Sequence, residues 1–268
     1  MKEAKIVILA GQSNAVGVGH VKHLPDHFSA EKIEEFKSGY KNTLINYYSH
    51  DKKSNGFVPI SLGCTEVSKE TIGPELGIAE ALTSKYPNEE IFIVKCAFGG
   101  TDLHRDWLPK SVRPEGEPAS ERGIGWCSYE FDKILAESIT YLKKNGYTPN
   151  IRAFCWMQGE SDADTELRVS EYEELYDTLI KDMNADFGEY LKDCIYVDAG
   201  ISDIWNFYKE LNEIKLNYSK KAPNRRFIDT IANGLTTKNE PVEEPDIFHY
   251  DSDSVIKLGN LFAEHISF

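Results

Sequence analysis

No apolar run in this sequence approaches the roughly 18 residues that a membrane-spanning helix needs, which excludes a helical membrane protein. Basic clusters are also missing. Lys and Arg number 30 against 44 Asp and Glu, and the net charge of −14 excludes a partner recognised through a phosphate backbone or an anionic membrane surface. Neither nucleic acid nor membrane is an expected partner. There is no Pro-rich or Gly/Ser-rich linker, no low-complexity tract and no repeat, so residues 1–268 are expected to form a single domain. The five cysteines are odd in number and none stands in a Cys-x-x-Cys pair. Cys96, Cys155 and Cys194 fall in apolar runs, where a free thiol acts as a small hydrophobe. With only five residues ahead of the first apolar run, no leader is read, and a reducing, cytoplasmic setting is the expectation. The third glycine of a dinucleotide fingerprint is absent after Gly17-Val-Gly19.

What is present is an alternation. Short apolar runs at 6–10, 91–97, 151–157, 194–197 and 227–231 read as buried strands. Between and after them, 74–85, 129–144, 170–187, 205–218 and 254–266 carry helical spacing. Two irregular stretches, 17–73 and 102–124, interrupt the pattern; the first holds a charged helical piece near 31–37 and a small extra strand at 44–48. Strands alternating with helices imply a parallel sheet. The expected fold is α/β, a three-layer α/β/α sandwich with a five-stranded parallel sheet in the flavodoxin-like order 2-1-3-4-5. In that order strands 2 and 3 flank strand 1, so the turns after all three lie side by side.

Those turns are polar. Strand 1 ends in Gly11-Gln12-Ser13-Asn14, strand 2 in Phe98-Gly99-Gly100-Thr101, and strand 3 in Gln158-Gly159-Glu160-Ser161-Asp162. Asp246-x-x-His249 follows strand 5. Together they supply a hydroxyl nucleophile, oxyanion donors, a base and its orienter, the parts of acyl transfer. The serine follows the first strand and lacks the closing glycine of an α/β-hydrolase nucleophile elbow.

On these residues the chain resembles the SGNH/GDSL hydrolases, and more narrowly the sialate O-acetylesterase-like branch that includes the family six acetylxylan esterases. Gly11-Gln-Ser-Asn14, Gly99-Gly-Thr101 with Trp107 after it, Trp156-Met-Gln-Gly-Glu-Ser-Asp162 and Asp246-x-x-His249-Tyr250 carry the resemblance, in the branch's order. The Trp-led block is the most specific of the four. The resemblance implies a serine esterase acting on O-acetyl groups of a carbohydrate, without metal or organic cofactor. It implies Ser13 as nucleophile, His249 as base and Asp246 as the residue holding the imidazole. The oxyanion donors it implies are the N–H of Ser13, the N–H of Gly99 or Gly100, and the side-chain amide of Gln158. Gln12, Asn14, Thr101 and Glu160 are expected to brace these loops.

Substrate selection is expected to fall to the irregular 17–73 and 102–124 segments, with Trp107 of the second as the sugar platform. Trp107 offers an indole face on which a pyranose can stack, with Arg105 and Asp106 in reach of its hydroxyls. Other readings stay open. Asp246, His249, Asp251 and Asp253 alternate as metal ligands can, but no second ligand cluster completes them. Asp253 or Ser254 is expected to cap the last helix. His20, His23, His27 and His50 have no motif around them. The same scaffold also serves lipase- and thioesterase-like hydrolases, and a flavodoxin-like binding module is the alternative outside enzymes.

Overall fold

The computed structural model describes residues 2–64, 70–117 and 122–268. The parts of the two irregular stretches at 65–69 and 118–121 lie outside these. At the centre is β1 (Lys2–Gly11), whose residues 6–10 have no exposed surface, as befits a strand covered on both faces. Five further strands run parallel to it: β2 (Tyr40–Ser49), β3 (Ile91–Ala97), β4 (Tyr147–Met157), β5 (Ile195–Ala199) and β6 (Arg225–Ile228). Their spatial order is 6-5-4-1-3-2. The five strands read from apolar runs therefore keep the order expected of them.

The sheet is wider than five strands. The stretch read as a small extra strand at 44–48 is the ten-residue β2, which pairs with β3 along seven residues. Two short antiparallel pieces, Lys52–Lys53 and Val58–Ile60, add to β2, giving an eight-stranded mixed sheet. The last parallel strand also ends earlier than its apolar run. Asp229 accepts from Ala232 N–H on its side chain and from Asn233 N–H on its carbonyl, which turns the chain.

Helices cover both faces. Helix α1 (Pro74–Lys85) packs on α5 (Ser252–Glu264), while α2 (Trp126–Lys144), α3 (Glu166–Phe187) and α4 (Tyr208–Ser219) take the opposite side. Strand alternation decides which residues meet which layer. Phe154 and Trp156 of β4 meet Phe131 of α2 and Tyr176 of α3, and Asn46 of β2 bonds Ser138 of α2. Val94 is paired with Asn46, so its neighbour Lys95 points the other way, to Glu75 of α1. On that side two glycines bring the helix backbones together. A Cβ on Gly77 would lie 2.1 Å from Ile256 O, and one on Gly259 2.0 Å from Pro74 O.

The strand register sets up the site. Gly11 pairs with both Ala97 and Met157, and Ala97 pairs with Ser49. The residues that follow these four ends, Gln12, Phe98, Gln158 and His50, leave the sheet along one edge.

Candidate active site

Ser13 opens a single helical turn, Ser13–Val16, directly after β1. The tight exit depends on Gly11. Its φ is +143°, and a Cβ there would sit 1.8 Å from Met157 O, so only glycine fits between the ends of β1 and β4. Gln12 N–H donates to that same carbonyl at 2.9 Å. Beneath the turn, buried Lys95 donates to Val16 O at 2.7 Å and to Glu75 at 2.6 Å. This places a paired cation under the carbonyl end of the turn. Ser13 itself is half-buried, and its hydroxyl bonds to no described residue.

The residue after it ties two loops together. Asn14 donates to Glu160 Oε1 at 2.7 Å and to Phe248 O at 3.4 Å, and its Oδ1 accepts from Tyr250 N–H at 3.0 Å. The two backbone groups it grips flank His249, so the loop carrying the histidine is clamped to the neighbour of Ser13. In that loop Asp246 Oδ2 lies 2.6 Å from His249 Nδ1, and Asp246 Oδ1 accepts from Phe248 N–H. A carboxylate can only accept, which puts the ring proton on Nδ1 and leaves Nε2 as the basic nitrogen. No hydrogen bond joins His249 to Ser13 in this structure.

The turn after β3 runs against Ser13. A Cβ built on Gly99 would lie 3.9 Å from Ser13 Cβ, whereas one on Gly100 (φ +69°) would meet nothing within 4 Å. Of the two glycines, Gly99 is thus the one beside the serine. Among the described residues the N–H groups of Ser13 and Gly99 have no acceptor. Thr101 holds this turn through Thr101 Oγ1–H to Phe98 O at 2.8 Å.

Two expectations do not survive the geometry. Trp107 has no exposed surface; its Nε1–H donates to Thr101 Oγ1 at 3.0 Å and its ring sits 4.9 Å from that of Trp156. A fully buried indole cannot stack on a sugar, so Trp107 supports the Gly99 turn from below. Gln158 is likewise fully buried, and its amide N–H groups are taken by Thr101 O and Asp162 Oδ2. In this conformation it has no hydrogen to offer a bound ester. Its main-chain carbonyl accepts from Lys215 Nζ and Tyr172 OH, which fixes the backbone beneath the amide, while its side-chain Oε1 is buried with no partner among the described residues.

The remaining expected residues sort by partner. Gln12 Oε1 accepts from Gly159 N–H and Ser161 N–H, bracing the turn after β4. Glu160 is fully buried beneath Asn14, and burial raises its carboxyl above the ordinary range. Burial lifts Asp162 to about 7, against hydrogen bonds from Gln158 and Leu103 N–H. Asp106 accepts from Trp126 Nε1–H and Arg105, so it fixes the start of α2; Arg105 keeps an exposed side chain. The cap expected of Asp253 or Ser254 is also displaced, because α5 starts earlier, at Ser252. Asp251 instead accepts from the N–H groups of Asn239 and Glu240, tying down the loop that carries Asp246. Among the described residues no group of three or more His, Cys, Asp or Glu side chains is arranged to hold a metal ion.

This geometry can be set beside known proteins. The family described as carbohydrate esterase, sialic acid-specific acetylesterase matches residues 3–267. The chain belongs to that family. It is a carbohydrate esterase, which displaces the binding-module alternative. A probable carbohydrate esterase of Arabidopsis thaliana, At4g34215, is 24% identical over 264 residues, covering 97% of this chain and 89% of that protein. The crystal structure of that Arabidopsis protein aligns with a TM-score of 0.70 at 22% identity, over 98% of this chain and 97% of the other. The structure of NanS aligns equally well, with a TM-score of 0.70 at 19% identity over 98% and 96% of the two chains. At these identities the structural likenesses speak for the fold.

Two features of the candidate site carry no signal in the sequence. Phe248, half exposed and next to His249, packs on Trp205 with ring centroids 5.6 Å apart. His50 lies beside Gly99, 3.8 Å from where a Cβ of that glycine would be. Phe248 fills an unspecified position of Asp246-x-x-His249, and His50 stands outside every motif. Only the sheet register, with Ser49 level with Ala97, could have placed His50.

Proposed function

We propose that this chain is a serine esterase that removes O-acetyl groups from a carbohydrate through an acetyl-enzyme intermediate. Ser13 Oγ attacks the acetyl carbonyl carbon while His249 Nε2 takes the hydroxyl proton and Asp246 holds the resulting imidazolium. The tetrahedral oxyanion lies against the N–H groups of Ser13 and Gly99, donors aimed where charge develops. Collapse breaks the bond from acyl carbon to sugar oxygen, and His249 returns its proton to that oxygen. Water then repeats both steps on the acetyl-Ser13 ester and releases acetate. The contact between His249 and Ser13 tightens when substrate arrives, as such pairs commonly do.

The observation that carries this reading is the Asn14 clamp, which holds the backbone on both sides of His249 to the residue after Ser13. The leaving sugar must lie where His249 can protonate it. Phe248, backed by Trp205, is the exposed aromatic there and takes the platform role expected of Trp107. A reducing, cytoplasmic setting fits the five unpaired cysteines. Among the described residues no helix is long and apolar enough to cross a membrane.

Released acetate, measured on acetylated xylan, acetylated sialic acid, acetylated monosaccharides and aryl acetates, tests the assignment. Faster turnover of an acetylated sugar than of the matching butyrate supports it. Faster cleavage of butyrate or longer esters moves the chain to the lipase-like reading.

A further inference from the structure

We propose that His50 is a substrate-binding residue of this site, hydrogen-bonding a polar group of the substrate on the Gly99 side of Ser13. The proposal rests on the reading of Ser13 as nucleophile. His50 follows β2, and its N–H donates to Ala97 O at 2.8 Å, so its backbone is fixed to the strand end that leads into Gly99. Its φ is +57°, in the left-handed region that a residue with a Cβ enters only at some cost. Strained backbone of this kind persists where the surroundings enforce it, and it gathers at functional sites.

The ring is placed to act. Nδ1 lies 3.8 Å from the point where a Gly99 Cβ would be, and Ser13 Cβ lies 3.9 Å from the same point. His50 Nδ1 is therefore no farther from Ser13 Cβ than those two distances laid end to end, a gap that a small ester and one hydrogen bond can fill. The ring is exposed, and among the described residues it makes no hydrogen bond, ion pair or ring contact. A packing role does not explain it. His249 comes to Ser13 through the β4 side, by way of Asn14 and Glu160, whereas His50 comes from the β2 side. The histidines thus reach the Ser13 turn by separate routes, His249 through the loop held by Asn14 and His50 through the turn of Gly99.

The test uses His50→Gly, which relaxes the backbone, and His50→Asn, which tolerates the same φ and keeps a polar group. Both variants should melt at or above the parent temperature. For the best acetylated sugar of the panel, His50→Gly should raise KM about tenfold with kcat within about threefold, the scale of one lost hydrogen bond, and His50→Asn should recover part of the loss. Labelling of Ser13 by a fluorophosphonate in the His50→Gly protein should proceed at the parental rate. Unchanged KM in His50→Gly would overturn the proposal, as would a loss confined to kcat. Failure of the parent protein to label at Ser13 would instead strike the nucleophile reading on which it rests.

Discussion

At the scale of single residues, a motif names a residue but not the direction of its side chain. Trp107 and Gln158 both stand in the sequence where a site needs an aromatic face and an amide donor. Both are turned inward, one against Trp156 and Thr101, the other onto Thr101 O and Asp162. The role of Trp107 can be measured. Trp107→Phe keeps a ring in the core but loses the Nε1–H bond to Thr101 and part of the indole's buried volume, so stability should fall by about 2–3 kcal/mol. Turnover of an acetylated sugar and of a minimal aryl acetate should fall by the same factor, because the change acts through the Gly99 turn. A selective loss on the sugar would restore Trp107 to the substrate. Asn14 is the opposite case. It was legible only as a brace, and the structure gives it the contacts that join the loops of Ser13 and His249.

Among the elements, the helix pair α1 and α5 depends on two glycines, and α2 carries a half-buried acid. In Gly77→Ala the new methyl would meet Ile256 O, a backbone atom that cannot swing aside. Urea unfolding should show a loss of about 2 kcal/mol or more, the scale of overpacking in a fixed interface. A loss below about 0.5 kcal/mol would mean that the two helices slide apart freely. Asp132 in α2 is raised from 3.8 to about 7, first by burial and then by Asp186, with Lys110 and Arg113 pulling the other way. Its folded-state value lies above its unfolded one, so the folded chain binds the proton more tightly. The stability this gives is complete below the ordinary carboxylate range and is lost as pH rises towards 7. Asp132→Asn should therefore melt close to the parent at about pH 4 and progressively higher than the parent up to about pH 8. A gap in Tm that stays constant with pH would show that Asp132 titrates normally.

Across the whole molecule, the parallel sheet was legible because its central strands are largely apolar runs, interrupted by Lys95 in β3 and Arg152 in β4, and topology alone then placed three polar turns together. Strand β2 was under-read for the converse reason. Its Asn46, Tyr47 and Tyr48 interrupt the apolar pattern, although Asn46 is buried against Ser138 of α2. With β2 shortened, His50 had no address and passed for an incidental histidine. A positive φ and a close approach across two strands leave no trace in composition or spacing. The family match confirms what the four motifs implied about the class of enzyme, and the candidate chemistry returns to one side chain. The most direct measurement is covalent labelling of the purified, active protein with a fluorophosphonate, followed by intact mass and peptide mapping. One adduct on the peptide containing Ser13, absent in Ser13→Ala and strongly slowed in His249→Ala, is the predicted result. An esterase that hydrolyses acetylated sugar yet takes no label, or takes it on another residue, would contradict the account.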